Sequence, residues 1–225
     1  MTTQLTTKKM MIALEGTKGS GKSTLFEKLL ELDDILPVKP VTYRPTSPAP
    51  DHLHVASILS AYPFLAKQDC WQEKLYAERA AWHTKQIPSD ASFILADRCI
   101  ATSYATRWYK WGDPMFTIQK VDALHINVPV PNMILWLDCP PEIALKRIAK
   151  RPERNYGLAD EGAKRIKETY AAYCEMMVLP PLRLASTLWI RVNASQPIDR
   201  VLQEVLDILD YNISRTLPYS QSITA

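Results

Sequence analysis

Short apolar runs alternate along the chain with segments whose apolar residues recur at helical spacing. The apolar runs predict five buried strands, at residues 10–14, 38–43, 93–96, 133–137 and 188–192. The helical spacing predicts helices at residues 23–32, 53–65, 72–87, 142–150, 163–177 and 198–209. Strands that alternate with helices favour right-handed crossovers. We therefore expect a three-layer α/β fold, with a central parallel five-stranded sheet flanked by helices on both faces.

Proline and glycine clusters mark the breaks between these elements. Residues 44–50 hold three prolines and predict a loop, and residues 112–114 read Gly-Asp-Pro and predict a turn. Residues 214–225 predict a loose C-terminal tail. A length of 225 residues suits one domain and no linker divides the chain, so we interpret residues 1–225 as a single domain.

Bulk composition limits the partners and the cellular compartment that we expect for the protein. The formal net charge is only +3, which does not favour nucleic acid as a partner. No run of about 18 apolar residues predicts a membrane span, and the run at residues 10–14 reads as a core strand rather than a signal peptide. The four cysteines form no CxxC pair, so we expect reduced thiols in the cytoplasm.

The most specific motif follows the first predicted strand. Residues 16–23 read G-T-K-G-S-G-K-S, and this spacing between a strand and a helix predicts a phosphate-binding P-loop. Backbone N–H groups of the loop and the positive end of the next helix would surround phosphate oxygens. Lys22 would reach the β- and γ-phosphates, and the Ser23 hydroxyl would bind Mg²⁺. The sequence thus predicts a P-loop NTPase-type fold whose ATP-binding residues are Gly16, Thr17, Lys18, Gly19, Ser20, Gly21, Lys22, Ser23 and Thr24.

Other polar residues also come directly after predicted strands. Arg44 follows the second strand, Asp97 and Arg98 follow the third, and Asp138 follows the fourth. The carboxyl ends of parallel strands share one edge of a sheet, and ligands bind there. We therefore expect these side chains at the same rim as the P-loop.

Four segments, in the correct order, resemble the thymidylate kinase family. They are the strand and P-loop at residues 12–24, A-E-R-A-A-W-H at 77–83, A-D-R at 96–98 followed by Thr102 and Ser103, and the strand, double-proline turn and helix at 131–148. The likeness spans residues 10–178. It implies a nucleoside monophosphate kinase that uses Mg²⁺ and transfers the ATP γ-phosphoryl group to a deoxynucleotide 5′-phosphate. Homodimers are common in the family, so the resemblance also implies that a homodimer can form.

The resemblance assigns roles on the acceptor side. Arg79 and Arg98 would hold the acceptor nucleotide, with Arg98 on its phosphate, because a guanidinium binds phosphate bidentately. Asp97 would help to place Mg²⁺ through water, which this ion tends to keep. The further positions expected to bind the acceptor are Arg44, Leu75, Ser103 and Tyr170, with Tyr173 as a second aromatic candidate.

A basic segment is predicted to form a lid at residues 147–160. The span 146–154 holds five cationic residues against one acid. The P-loop has no arginine of its own, so a lid arginine would stabilise charge on the transferring phosphoryl group. Arg147, Arg151 and Arg154 remain alternatives for this catalytic role. The competing interpretation of the segment is a solvated basic face.

Four departures from the family pattern lie on the acceptor side. Lys18 replaces an acid that contacts the acceptor sugar, and Cys99 replaces an aromatic residue. Residues 105–107 read A-T-R instead of A-Y-Q or similar, which removes a tyrosine linked with excluding a 2′-hydroxyl. Leu75 replaces a phenylalanine that stacks on thymine, and Tyr76 is the neighbouring substitute. We infer an acceptor that is a pyrimidine deoxynucleotide, with a modified base among the candidates.

Two other functions stay open at this point. The chain could be a kinase for deoxynucleosides, or for a hydroxyl on a modified base in a nucleotide or in DNA. It could also be a nucleotide-binding protein without catalysis, although intact Lys22, Ser23 and Asp97 argue against a decayed site.

Overall fold

A computed structural model describes residues 9–151 and 162–216. Within them one five-stranded sheet has the order β2-β3-β1-β4-β5, and every neighbouring pair is parallel. The strands are β1 Met10–Glu15, β2 Val41–Tyr43, β3 Phe93–Asp97, β4 Met133–Asp138 and β5 Leu188–Asn193. The predicted P-loop NTPase-type α/β fold is therefore confirmed.

Helices connect the strands and cover both faces of the sheet. In the described part of the chain they are α1 Lys22–Glu31, α2 Val55–Ala61, α3 Asp69–Lys85, α4 Ile100–Arg107, α5 Pro114–Leu124, α6 Pro141–Ala149, α7 Ala163–Val178 and α8 Ile198–Thr216. None of these helices, within residues 9–151 and 162–216, is long and apolar enough to span a bilayer.

The core has two halves because side chains of a strand point alternately to opposite faces. Met10, Ile12 and Leu14 of β1 join the half that contains α1, α6 and α8. Met11 and Ala13 join the half that contains α4 and α7. All six residues of β1 are buried, so the central strand is covered on both sides, as parallel sheets require.

The strand order places the end of β1 between two neighbours. Leu14 lies beside Asp97 of β3, and Glu15 lies beside Trp136 of β4. The loop that leaves β1 therefore emerges at the centre of the rim. The ends of β3 and β4 flank it.

Most predicted elements are confirmed, with shifts at their ends. The strand predicted at 38–43 begins only at Val41, and the helix predicted at 53–65 is confined to Val55–Ala61. His54 caps that helix through a hydrogen bond from the Ser57 amide (3.3 Å). Pro63 disfavours helical geometry at the residue before it, so the helix ends early. Helix α8 continues to Thr216, three residues into the predicted tail, and residues 217–225 lie outside the described part.

The sequence did not predict α4 and α5 as helices. Residues 104–111, which include four aromatic side chains, overlap the end of α4. Helix α5 begins at Pro114, the last residue of the turn predicted at 112–114. The Asp113 carboxylate caps α5 by accepting from the Met115 amide (2.9 Å), and Pro114 suits its first turn. The apolar residues of α5 form no single stripe, which explains why the periodicity gave no signal.

Candidate active site

The P-loop joins β1 to α1 and its backbone geometry depends on glycine. Gly19 has φ +86°, and a Cβ added there would lie 2.6 Å from the Ala144 carbonyl oxygen. Gly21, with φ +94°, is the N-cap of α1, and no side chain caps this helix end. The first amides of α1 are thus left for an anion, which the helix dipole also favours.

Lys22 is buried inside this loop. Its ammonium donates to the carbonyl oxygens of Gly16 (2.5 Å) and Thr17 (2.7 Å), and to Ser20 Oγ (3.3 Å). Burial, and then the charge of Arg98, lower the pKa of Lys22 well below its usual value. Glu15 and Asp97 act on this pKa in the opposite direction. A triphosphate bound in the loop would supply negative charge beside the ammonium and so favour its protonated form.

The Asp97-Arg98 pair lies at the rim beside the P-loop. Arg98 has φ +83°, and it is the one non-glycine residue with positive φ in the described part of the chain. Its amide donates to the Leu14 carbonyl (3.2 Å), and its Nη1 donates to Thr102 Oγ1 (3.2 Å). Backbone strain of this kind is concentrated at functional sites. The arginine is therefore held beside the loop at a cost in stability.

The Asp97 carboxylate fits the predicted role at Mg²⁺. Its Oδ1 is buried, and no hydrogen-bond partner for it is found among the described residues. Ser23 is exposed at the start of α1, where its hydroxyl can reach the loop's ligand. The described residues hold no cluster of three or more His, Cys, Asp or Glu that could cage a metal. One carboxylate, one hydroxyl, water and substrate phosphates are the donor set that Mg²⁺ ordinarily uses.

Glu15 is a functional residue that the sequence interpretation missed. It is fully buried, and its Oε1 accepts from the amides of Cys99 (2.7 Å) and Thr102 (3.1 Å). Its Oε2 accepts from Thr102 Oγ1 (2.7 Å) and from the Tyr173 hydroxyl (2.7 Å). Burial and this carboxylate raise the pKa of Tyr173 well above its usual value. Glu15 thus anchors the start of α4, which carries Arg98 just before it.

Two cavities flank the P-loop. The larger measures about 660 Å³ and extends from Gly16 across α3, α4 and α7. Among the described residues that line it none is acidic, whereas six are cationic: Lys18, Arg79, Arg98, Arg107, Lys110 and Arg165. The smaller measures about 320 Å³ and lies between the P-loop, α6 and the loop that precedes α8. The wall of the larger cavity is thus cationic, although Arg107, Lys110 and Arg165 pair with acids that do not line it, Glu73, Asp69 and Glu168.

The larger cavity contains part of the predicted acceptor set. Arg79, Arg98 and Ser103 line it, and Lys18 lines it as well. Arg79 Nε donates to the Pro45 carbonyl (3.1 Å), which holds the guanidinium at the cavity wall. The structure thus places Arg79, Arg98 and Ser103 at one cavity, whereas Lys18 was predicted to bind ATP.

Three other predicted acceptor residues are not among the residues that line this cavity. Arg44 pairs with both carboxylate oxygens of Glu27 (2.9 and 3.2 Å), and its guanidinium packs over the Phe26 ring. Both partners lie on α1. Leu75 is replaced in the cavity wall by Tyr76, its neighbour on α3. Tyr170 packs against Trp136, whereas Tyr173, one turn away on α7, lines the cavity.

The lid arginines have different environments. Arg147 donates to the carbonyls of Ala194 (2.7 Å), Ser195 (3.3 Å) and Gln196 (3.2 Å), so its guanidinium is used to hold the loop before α8. That geometry places Arg147 at the wall of the smaller cavity and disfavours the predicted catalytic role. Arg151 lines the same cavity, and its charge contributes to the lowered pKa of Lys22. Arg154 and most of the predicted lid lie outside the described residues.

A buried acid on α3 organises the end of the larger cavity away from the P-loop. Glu73 is fully buried and pairs with Arg107 Nε (2.8 Å) and His125 Nε2 (2.6 Å). Nearby, Arg165 donates to the Thr106 carbonyl (2.6 Å) and to Glu168 Oε2 (3.0 Å). The sequence gave no signal for Glu73, Arg107 or His125 as a group, because they come from three different helices or their ends.

The parallel sheet and the P-loop after its central strand define a P-loop protein, and two cavities adjoin that loop. A comparison with known families matches residues 14–205 to the thymidylate kinase model. The chain belongs to the thymidylate kinase family.

Curated relatives agree with this assignment. The chain is 26% identical over 211 residues to proteins named thymidylate kinase from Bacillus thuringiensis (strain Al Hakam), Bacillus cereus (strain 03BB102) and Bacillus anthracis (strain CDC 684 / NRRL 3495). Each match covers 90% of this chain and 98% of the relative. Membership of the family supports a nucleotide-binding phosphotransferase that acts on a nucleoside monophosphate.

Proposed function

We propose that the protein transfers the γ-phosphoryl group of ATP to the 5′-phosphate of a pyrimidine deoxynucleoside monophosphate, with an ordinary or a modified base. The observation that carries this proposal is the pair of cavities on either side of one P-loop. The larger has six cationic side chains among its lining residues, and Arg98 stands next to the loop. A phosphorylated acceptor in that cavity would face the end of a triphosphate bound in the loop.

ATP and the acceptor nucleotide would bind on opposite sides of the P-loop. ATP would place its phosphates in the P-loop and its base in the smaller cavity, against the loop that Arg147 holds. The acceptor would place its phosphate on Arg98 and extend along α4. Transfer between phosphates asks little covalent chemistry of a protein, so positioning and charge neutralisation supply most of the rate enhancement.

Cationic groups would stabilise the transferring phosphoryl group. Lys22 would leave the carbonyls of its own loop for the β- and γ-phosphates of ATP. Ser23 and Asp97 would hold Mg²⁺, which neutralises phosphate charge when bound. Of the lid arginines, Arg151 is the best placed for the catalytic role among the described residues, and Arg154 remains a proposal from the sequence alone.

The four cysteines are relevant to the cellular compartment of the protein. All are free thiols, as expected of a reducing compartment, and this supports the proposal that the protein works in the cytoplasm. A homodimer remains a proposal that rests on the family alone.

A substrate panel tests the proposed function against its alternatives. Purified protein is incubated with Mg²⁺ and ATP plus, separately, deoxynucleosides, deoxynucleoside monophosphates and single-stranded DNA that carries hydroxymethylated bases. We expect ADP release only with monophosphates, and a diphosphate product by chromatography. Phosphorylation of a free nucleoside or of DNA would establish the alternative kinase. ATP binding without turnover on any acceptor would establish a non-catalytic protein.

The unusual cation in the P-loop gives a second prediction. Lys18 lines the acceptor cavity, and a lysine cannot accept a hydrogen bond from a sugar hydroxyl. Lys18→Asp supplies an acceptor, so we expect thymidylate to bind about 3- to 10-fold more tightly, the value of one hydrogen bond. Isothermal titration with thymidylate measures this change.

The matched control for Lys18→Asp is Lys85→Asp, which makes the same change of charge at an exposed position on α3. We expect no change in thymidylate affinity for the control. Unchanged or weaker thymidylate binding by Lys18→Asp would contradict the role given to this position.

A further inference from the structure

Arg98 differs from two other arginines that line the larger cavity. Within the described residues, the one side-chain hydrogen bond of its guanidinium goes to Thr102 Oγ1 (3.2 Å), a neutral oxygen. Arg107 and Arg165 instead pair directly with carboxylates (2.8 and 3.0 Å). A guanidinium has five N–H donors, so four of those on Arg98 are available to a ligand. Its charge is not cancelled by a described acid in contact with it.

The partners of Thr102 determine the direction of its hydrogen bonds. An arginine only donates, so the Thr102 hydroxyl accepts from Arg98. Carboxylate oxygens accept, so the hydroxyl hydrogen goes to Glu15 Oε2 (2.7 Å). The hydrogen bonds therefore run in one direction, from Arg98 through Thr102 to Glu15. Hydrogen bonds that share a hydroxyl in this way polarise and strengthen one another.

Tyr173 of α7 completes this network from the other side. Its hydroxyl donates to the same oxygen, Glu15 Oε2 (2.7 Å), and lies 3.4 Å from Thr102 Oγ1. Glu15 Oε1 accepts from the amides of Cys99 and Thr102, so all four acceptor positions of this buried carboxylate are filled. Burial, and then the charge of Glu15, raise the pKa of Tyr173 well above its usual value. The Tyr173 hydroxyl therefore remains a donor at neutral pH.

We propose that Thr102 aims the Arg98 guanidinium at the acceptor phosphate, and that Tyr173 holds Thr102 in place through Glu15. This inference rests on the proposed function, because it needs a phosphate on Arg98. The backbone of Arg98, with φ +83°, fixes where its side chain begins, and the bond to Thr102 fixes where it ends. A neutral oxygen orients the guanidinium without competing with a phosphate for its charge. Thr102 and Tyr173 are thus positioning residues that act through Arg98.

Steady-state kinetics on Thr102→Val and Thr102→Ser test the proposal. The acceptor is thymidylate or hydroxymethylated deoxyuridylate, whichever the wild-type protein phosphorylates faster. Valine has the shape of threonine but can neither accept from Arg98 nor donate to Glu15, whereas serine keeps the hydroxyl. We expect Thr102→Val to raise the acceptor KM about 10- to 100-fold, the value of a hydrogen bond to a charged group. The KM for ATP should be unchanged, and Thr102→Ser should stay close to wild type in both constants.

A double-mutant cycle with Arg98→Ala shows whether Thr102 acts through the arginine. If Thr102 only aims Arg98, then Thr102→Val has little left to change in a protein that lacks the guanidinium. The acceptor KM of R98A/T102V should therefore lie within about twofold of that of R98A. The effects of two residues that each contact the ligand independently would multiply instead.

Tyr173→Phe tests the second arm of the network and decides the question if Thr102→Val does not fold. It removes one hydroxyl and keeps the buried ring. We expect a smaller rise in the acceptor KM, about 3- to 10-fold, because this hydroxyl acts on Arg98 only through Glu15 and Thr102. The KM for ATP should again be unchanged. Tyr211→Phe, which removes the same atom from an exposed tyrosine on α8, is the matched control and should leave both constants as in wild type.

The outcomes separate this inference from the proposed function. If the wild-type protein phosphorylates neither monophosphate, the proposed function fails and this inference falls with it. If the wild type is active, a wild-type acceptor KM in folded Thr102→Val or Tyr173→Phe overturns the inference alone. So do equal effects of valine and serine at position 102, and multiplied effects in R98A/T102V. Equal rises in the KM for the acceptor and for ATP would show a general structural role and would overturn it too.

Discussion

Lys22→Ala is expected to lower kcat by roughly 10²–10³-fold, because one preorganised charge aimed at the reacting group contributes about that much to catalysis. The Lys22 ammonium donates to carbonyl oxygens of the P-loop itself, so it lies inside the loop that is proposed to bind the phosphates of ATP. The fold should persist, since β1 and α1 keep their buried apolar residues. Turnover with a monophosphate acceptor, together with a thermal unfolding curve, measures both effects.

Lys28→Ala is the matched control for Lys22→Ala. Lys28 lies on the same helix, but its partly exposed side chain pairs with Asp199 (3.5 Å) instead of the loop. Exposed pairs of this kind contribute about 0–1 kcal/mol, so we expect near-normal kcat and a small change in stability. Near-normal turnover by folded Lys22→Ala would contradict the assignment of the loop.

Arg98→Gly should strongly reduce use of the acceptor, and the folded glycine variant should be more stable than Arg98→Ala. Both Arg98→Gly and Arg98→Ala remove the guanidinium and its contact with Thr102. We expect each to lower kcat/KM for the acceptor at least about 100-fold, since a bidentate charged contact is lost. With φ at +83°, the glycine variant should be more stable than the alanine variant by about 1 kcal/mol, the reverse of the usual order.

Urea unfolding and acceptor kinetics on the two Arg98 variants form one experiment. The pair differs by a single methyl group, so each variant controls for the other. An alanine variant as stable as the glycine variant would refute the interpretation of backbone strain. Acceptor kcat/KM within threefold of wild type in either variant would refute the phosphate-binding role.

The fold was predictable because its strongest signals are local. Five apolar runs became five strands, and α8 follows from Val201, Val205 and Leu209 at helical spacing. Helix α5 was missed because its apolar residues form no clean stripe in the sequence. Helix α4 was missed although its apolar residues lie on one side, where it packs against α7. The early end of α2 was foreseeable, since Pro63 is visible in the sequence.

The arrangement of the proposed site residues could be predicted where one short segment carries several of them. The P-loop and Asp97-Arg98 qualify, because each follows a strand directly and the strand order brings them together. Arg44 was predicted to bind the acceptor because it follows β2 directly. Its side chain instead pairs with Glu27, a partner that no spacing rule reveals. The network of Glu73, Arg107 and His125 joins residues up to 52 positions apart. Only tertiary structure shows such a group.

The most direct test of the central claim is a titration of the folded protein with Mg·ATP in a calorimeter, with Lys22→Ala alongside. If the P-loop holds the triphosphate, wild-type protein gives one saturable binding event per chain, and Lys22→Ala weakens it strongly. Absence of binding heat and of thermal stabilisation in well-folded wild-type protein would contradict the account, and with it the transfer of a phosphoryl group to a nucleotide in the neighbouring cavity.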